Sequence, residues 1–322
     1  MGQVDVKGTC GTVLVTGAGG FVGSALCAEL AARGQPLRGA VRSGAGAQQI
    51  AIGNISGATD WSAALAGCRA VVHLAARVHV MSEACGDPLV AYREINVEGT
   101  LNLARQAHQH GVSRFVFASS VKVNGEGTVI GAPFTAADAP APLDPYGQSK
   151  MEAETALLQL AQETGLEVVI VRPPLVYGPG VKANFRNLIN LVGKGLPLPF
   201  GSARGLRSMV ALDNLLDLLI LCTTHPTAVG KVFMVSDGVD LTVAELVTMI
   251  AAAMGRKPRL VPVSVPAMQA CAALLGKSAL TDRLFGSLQV DILQTQALLE
   301  WKPCVSPQAC IDKTVAEFLR TK

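Results

Sequence analysis

The eight cysteines of the chain (Cys10, Cys27, Cys68, Cys85, Cys222, Cys271, Cys304 and Cys310) show no Cys-x-x-Cys pair and no accompanying histidine spacing. A structural zinc and a disulfide framework are both disfavoured, and no metal is expected. Several of these cysteines fall in apolar helical context, where a thiol behaves as a small hydrophobe. A reduced, cytoplasmic compartment fits that usage. Charge runs are missing as well: 27 Lys+Arg oppose 24 Asp+Glu, leaving +3 spread along the chain. Neither a nucleic-acid surface nor a polybasic membrane surface is indicated. The first nine residues lack the charged start and apolar stretch of a signal peptide. The longest candidate for insertion, Val265 to Gly276, is too short to span a bilayer and contains Gln269. No internal repeat or low-complexity segment stands out, so a soluble protein without nucleic-acid or membrane partners is expected.

What is present is the composition of an α/β enzyme: 322 residues, half of them apolar, with 33 glycines. Thr12 to Thr16 reads as a strand, and Gly23 to Arg33 as a helix that stops at Gly34. Leu37 to Val41, Ala70 to Leu74, Arg114 to Ala118, Glu167 to Val171 and Lys231 to Val235 read as further buried strands, mostly with helix-length segments between them. Strands alternating with helices predict a parallel, doubly wound sheet. Past Pro173 the alternation breaks at Pro173-Pro174, Gly178-Pro179-Gly180 and Leu196-Pro197-Leu198-Pro199. Residues 1–178 with about 206–236 are therefore expected to form a dinucleotide-binding domain, and about 179–205 with 237–322 a smaller, substrate-binding one. Leu212 to Cys222 reads as a helix of the first domain.

Gly17, Gly20 and Gly23 stand between the first strand and the first helix. A helix N-terminus there presents unpaired N–H groups and the positive end of a dipole, so a pyrophosphate fits if no side chain blocks the backbone. The second strand runs Leu37-Arg38-Gly39-Ala40-Val41-Arg42-Ser43 and ends without the carboxylate that usually bonds an NAD ribose. Arg42 suits a 2′-phosphate instead, which favours NADP(H) and leaves NAD(H) possible. Tyr146 and Lys150, four residues apart, share a helix face. A phenol titrates near ~10 in isolation, and a neighbouring cation lowers that value, so the pair can act as an acid/base.

Six ordered motifs carry a resemblance over nearly the whole chain: Thr16-Gly17-x-x-Gly20-x-x-Gly23, His73-Leu74-Ala75-Ala76, Asn96-Val97-Glu98-Gly99-Thr100, Ser119-Ser120, Tyr146-x-x-x-Lys150, and Arg172-Pro173-x-x-x-Tyr177-Gly178-Pro179-Gly180. Together they resemble the extended short-chain dehydrogenase/reductases, the nucleotide-sugar epimerases, dehydratases and 4-keto reductases. The resemblance implies a Rossmann sheet with a second, smaller domain, a UDP-sugar substrate lying between the domains, and a homodimer. It makes Ser120, Tyr146 and Lys150 catalytic, with Lys150 also holding the nicotinamide ribose. Gly17, Gly20, Phe21, Val22, Gly23, Arg42, Asn54, Ile55, Leu74, Ala75, Ala76 and Pro173 would meet the cofactor, Asn54 standing where the family usually has an aspartate. For His73 a cofactor role and a structural one both stand, and Asn96 would support the site. Ser120, Lys122, Asn184 and Arg207 would meet the substrate. A second diphosphate arginine expected before Asp291 is missing, and Arg283 is its substitute.

Relatives that dehydrate the sugar carry Asp-Glu after the catalytic hydroxyl, because elimination needs an extra acid and base. Here Val121 and Lys122 occupy those places, which disfavours dehydration. The remaining readings are a reductase of a nucleotide-linked 4-keto sugar, close to the reductases that form UDP-N-acetylquinovosamine, and a UDP-hexose 4-epimerase with tightly held NAD. The absent carboxylate tilts the expectation toward the reductase, probed with a UDP-4-keto-6-deoxy-HexNAc substrate. A cofactor-binding sensor without turnover is the third reading; such relatives usually lose the tyrosine or lysine retained here.

Overall fold

The computed structural model describes residues 11–78, 87–268 and 285–321. By internal contact the chain divides into two units, Met1–Ala118 with Ser149–Ile170 and Leu219–Lys231, and Ser119–Gln148 with Val171–Leu218 and Val232–Lys322.

The strands β1 (Thr12–Thr16), β2 (Leu37–Val41), β3 (Gln49–Ala51), β4 (Cys68–His73), β5 (Arg114–Ala118), β6 (Glu167–Arg172) and β9 (Val232–Met234) form a sheet in the order β3-β2-β1-β4-β5-β6-β9. The pairings from β3 through β5 are parallel. Strands of such a sheet are covered on both faces and so read as continuous apolar runs rather than alternating ones. Val13, Leu14 and Val15 in β1, Val71 and Val72 in β4, and Phe115 to Phe117 in β5 are all buried. Helix α1 (Phe21–Ala32) supplies Leu26 and Leu30 to the core, and α4 (Gly99–Gln109) supplies Leu103, Ala104 and Ala107. The expected doubly wound α/β sheet is present.

The order places β1 at the point where the chain's progress across the sheet reverses, with β2 on one side and β4 on the other. Ligands of open α/β sheets bind beyond the carboxyl ends of the strands at that point. The local sequences following β1 and β4 are Gly17-Ala18-Gly19-Gly20 and Leu74-Ala75-Ala76.

Within individual strands and helices, the differences from the sequence expectation are local. Strand β4 ends at His73, not Leu74, because the Leu74 amide turns to the Thr16 hydroxyl at 3.1 Å. Between α3 (Pro88–Arg93) and α4, residues Glu94–Glu98 form a π-helical turn, a feature frequent at functional sites.

In the second unit, β7 (Leu175–Tyr177) and β10 (Asp240–Leu241) flank β8 (Arg207–Ala211), β7 in parallel and β10 antiparallel. Phe185, Ile189 and Val192 of α6 (Ala183–Gly193), Val247 and Ile250 of α8 (Val243–Ala253), and Ile311 and Val315 of the C-terminal helix (Pro307–Arg320) share one core. A buried polar knot ties this unit together. The Tyr177 hydroxyl donates to Asp237 Oδ2 at 2.7 Å, while Oδ1 accepts from the Ala211 amide and from Asn214 Nδ2, both at 2.7 Å. Asn214 Oδ1 accepts in turn from the amides of Cys304 and Val305. Burial, then the adjoining Asp237 carboxylate, raises the Tyr177 pKa, so the phenol stays a donor. Tyr177→Phe is expected to cost ~2 kcal/mol, because a buried carboxylate oxygen loses its partner. Urea unfolding would measure it.

Candidate active site

The turn after β1 is shaped for close backbone approach. Gly17 has φ +67°, and a Cβ added to it would lie 3.0 Å from the Ala75 amide nitrogen. At Gly23 an added Cβ would lie 2.1 Å from the Gly17 carbonyl oxygen, so this position accepts no side chain while the turn holds its shape. Gly20 is the N-cap of α1 in extended conformation, and no side chain caps the helix. Its first amides are thus left for an anion, the fit a dinucleotide pyrophosphate requires. Phe21 and Val22 are half-buried in the first turn of α1, and Leu74, Ala75 and Ala76 are half-buried beyond β4.

Below that turn lies a buried network around His73. Thr16 Oγ1 accepts the amides of Leu74 (3.1 Å) and Ala75 (3.2 Å), which occupies both of its lone pairs. Its own hydrogen therefore goes to His73 Nδ1 at 2.7 Å, and Nε2 carries the ring hydrogen toward Thr100 Oγ1 at 2.9 Å. The ring is fully buried, and burial followed by the Lys150 charge lowers its pKa to about 3. His73 is a neutral strut that fixes the backbone of Leu74 and Ala75. Nothing in the sequence distinguishes that from a cofactor contact, because the partners are two threonines 57 and 27 residues away.

Of the two arginines of the second-strand segment, Arg38 is engaged: it donates to the carbonyls of Ala63, Ala64 and Ala66. Arg42 follows β2, is exposed, and makes no side-chain hydrogen bond or ion pair among the described residues. Asn54 is exposed and Ile55 half-buried. The Asn54 carbonyl accepts from Thr59 Oγ1 at 3.1 Å.

Lys150 and Tyr146 both lie on α5 (Pro145–Thr164). Lys150 is buried; its Nζ donates to the Ala118 carbonyl at 2.7 Å and sits 4.3 Å from the centre of the Phe117 ring. The carbonyl and the ring face favour the ammonium. Burial opposes it and lowers the pKa to about 7, with Glu154 one turn along pulling the other way. Asn96, buried on the π turn, steadies this helix: Nδ2 donates to Ser149 Oγ (3.0 Å) and to the Arg77 carbonyl, and Oδ1 accepts the Arg77 amide. Arg93 adds a bidentate ion pair to Glu152.

In the second unit, Ser120 is the N-cap of a 3₁₀ turn, Val121–Val123, and is half-buried, as is Tyr146. The Pro173 carbonyl accepts the Val121 amide at 3.0 Å. Asn184 is exposed in the first turn of α6, and Arg207 is half-buried at the start of β8. The Lys122 ammonium is engaged by Glu126 and Asp144. Arg283 lies outside the described residues, as do Cys10, Cys85 and Cys271. The five described cysteines form no disulfide, and no group of side chains among the described residues could hold a metal ion. No helix among them is long and apolar enough to cross a membrane.

Asp144 is not among the residues expected from the sequence, and Thr16 and Thr100 stand there only as motif members without a role of their own. Asp144-Pro145 is a helix-start signature that would have flagged the first.

Residues 13–236 match the model of the NAD dependent epimerase/dehydratase family. A UDP-glucose 4-epimerase of Vibrio cholerae is 46% identical over 314 residues, covering 96% of each chain. A UDP-glucose 4-epimerase of Mycolicibacterium smegmatis is 30% identical over 96% of this chain and 98% of its own. MoeE5, solved in complex with UDP-glucose and NAD, superposes with a TM-score of 0.76 at 27% identity, over 97% of this chain and 99% of that one. The chain is an enzyme that belongs to the NAD dependent epimerase/dehydratase family of extended short-chain dehydrogenase/reductases.

Proposed function

We propose that the enzyme is a UDP-hexose 4-epimerase that keeps its NAD bound, the alternative drawn from the sequence rather than the reductase placed first there. The observation that carries this reading is the 46% identity, over 96% of both chains, with the Vibrio cholerae UDP-glucose 4-epimerase. The MoeE5 complex with UDP-glucose and NAD supports it. The cofactor, when bound, supplies a reversible hydride acceptor for sugar C4.

The residues of the chain divide the remaining work. The α1 N-terminus and the Gly17 to Gly23 turn bind the pyrophosphate; Leu74, Ala75, Ala76, Pro173, Asn54 and Ile55 line the dinucleotide. Tyr146 takes the proton of the C4 hydroxyl and returns it after the sugar has turned over, and Ser120 bonds the same oxygen. Lys150 holds the nicotinamide ribose and favours the phenolate form of Tyr146. Asn184 and Arg207 meet the UDP-sugar, with Arg207 on the diphosphate and Arg283 as a second cation. The homodimer, the cytoplasmic setting and the domain bounds expected from the sequence belong to the same proposal.

Protein dialysed to exhaustion is expected to retain one NAD per chain and to interconvert UDP-glucose and UDP-galactose without added cofactor. The 4-keto reductase is the second reading, favoured by the exposed Arg42 and the missing carboxylate. A nucleotide-free preparation that oxidises NADPH against a UDP-4-keto-6-deoxy sugar would replace the epimerase with it. Binding of NADP(H) without activity in either assay would favour the sensor.

A further inference from the structure

The segments bearing Ser120 and Tyr146 are joined by a clamp that the chemistry above does not use. Ser120 Oγ accepts the Lys122 amide at 3.2 Å, closing the 3₁₀ turn. Asp144 caps α5: Oδ1 accepts the Gly147 amide at 2.6 Å, and its carbonyl accepts the Gln148 amide at 2.9 Å. Lys122 Nζ joins the two by donating to Asp144 Oδ2, and also to Glu126 Oε1 at 3.1 Å. One carboxylate thus holds the helix start with one oxygen and the ammonium with the other.

The backbone is drawn together at the same place. The Ala141 amide donates to the Val123 carbonyl at 2.9 Å. An added Cβ at Gly147 would lie 2.7 Å from the Lys122 carbonyl oxygen and 3.1 Å from Asp144 Oδ1, so turn and helix meet with no room for a side chain. The Lys122 and Asp144 side chains are each 23% exposed, and a pair withdrawn that far from water is screened less than one on the open surface.

We propose that Lys122 is a positioning residue, which together with Asp144 sets the separation of the Ser120 hydroxyl from the Tyr146 phenol. The inference rests on the reading of Ser120 and Tyr146 as reacting groups. Lys122 is two residues beyond Ser120, and Asp144 two residues before Tyr146, so a shift at the clamp passes to both within one dipeptide. Displacement of a reacting group by ~1 Å can cost on the order of a hundredfold in rate.

Lys122→Met keeps the aliphatic stem and removes the cation. It is expected to lower kcat with UDP-glucose about tenfold or more, with KM and NAD content within about twofold of wild type. Lys122→Arg should restore most of the rate. Asp144→Asn leaves an oxygen for the Gly147 amide but discharges the pair; it should match Lys122→Met, and the double variant should be no slower than either, since one interaction is lost once. Amide exchange over residues 119–126 and 143–149, followed by mass spectrometry, should quicken in Lys122→Met with no substrate present. A kcat unchanged in Lys122→Met would overturn the proposal. So would a raised KM at unchanged kcat, which would put the ammonium on the substrate, and so would additive losses in the double variant or unchanged exchange. Tyr146→Phe separates the two levels: normal turnover there sinks the reading of Tyr146, whereas a dead Tyr146→Phe beside an unimpaired Lys122→Met sinks the clamp alone.

Discussion

Tyr146→Phe is expected to retain its dinucleotide and to lose about two to four orders of magnitude in kcat, the contribution of a placed general acid/base. The substitution deletes one oxygen from a half-buried ring at the start of α5. The helix itself keeps its Asp144 cap and its Asn96 to Ser149 bond. Thermal unfolding should therefore change little, and the loss should fall on turnover rather than on NAD content. Lys150 is the natural comparison. Its ammonium is held by the Ala118 carbonyl and the Phe117 face, so Lys150→Met is expected to weaken both the rate and the grip on the ribose. An undiminished rate in Tyr146→Phe would remove the phenol from the mechanism.

Gly23→Ala should do the opposite, sparing the acid/base and breaking the cofactor turn. The new methyl group would meet the Gly17 carbonyl oxygen at 2.1 Å, the Gly17 carbonyl carbon at 2.7 Å and Ala18 Cα at 3.0 Å. All three obstacles are backbone, so no side chain can swing aside, and the cost should reach ~3 kcal/mol, the upper end for inserted core atoms. Relief requires the turn to move away from α1, which spreads the amides that would hold the pyrophosphate. Loss of NAD on dialysis, with a lowered unfolding midpoint, is the expected result. Gly19→Ala is the control: its Cβ would meet Val41 Cγ1 alone, at 4.0 Å, and stability should stay within about 0.5 kcal/mol, as at ordinary surface positions. If Gly23→Ala held NAD and melted with wild type, the turn would be more pliable than its contacts allow.

The sheet was legible because its strands are buried on both faces, and continuous apolar runs such as Thr12 to Thr16 and Arg114 to Ala118 announce themselves without long-range information. Both match the observed β1 and β5 to the residue. The glycine turn was legible for the same local reason. What escaped the sequence was everything that depends on partners far along the chain. The π turn at Glu94–Glu98 is invisible because the helical period reads straight through it, and its purpose, the aim of Asn96 at Ser149, spans 53 residues. The resemblance places Lys122 among the substrate contacts; its carboxylate partner at Asp144 lies 22 residues on, across a segment with no regular pattern. Tyr177 was recognised as part of a motif, yet the reason for its hydroxyl, Asp237, is 60 residues away.

Each of the two units is assembled from three separated stretches of chain, and this bears on how the protein is made. The ribosome releases Met1–Ala118 before β6, the neighbour of β5 in the sheet, exists, and Leu219–Lys231 must also emerge before the first unit has all its parts. Much of the folding then waits for distant pairings, which close slowly and leave apolar strand edges exposed meanwhile. No single cut separates the units, so trimming from either end removes a piece of both before it frees one of them.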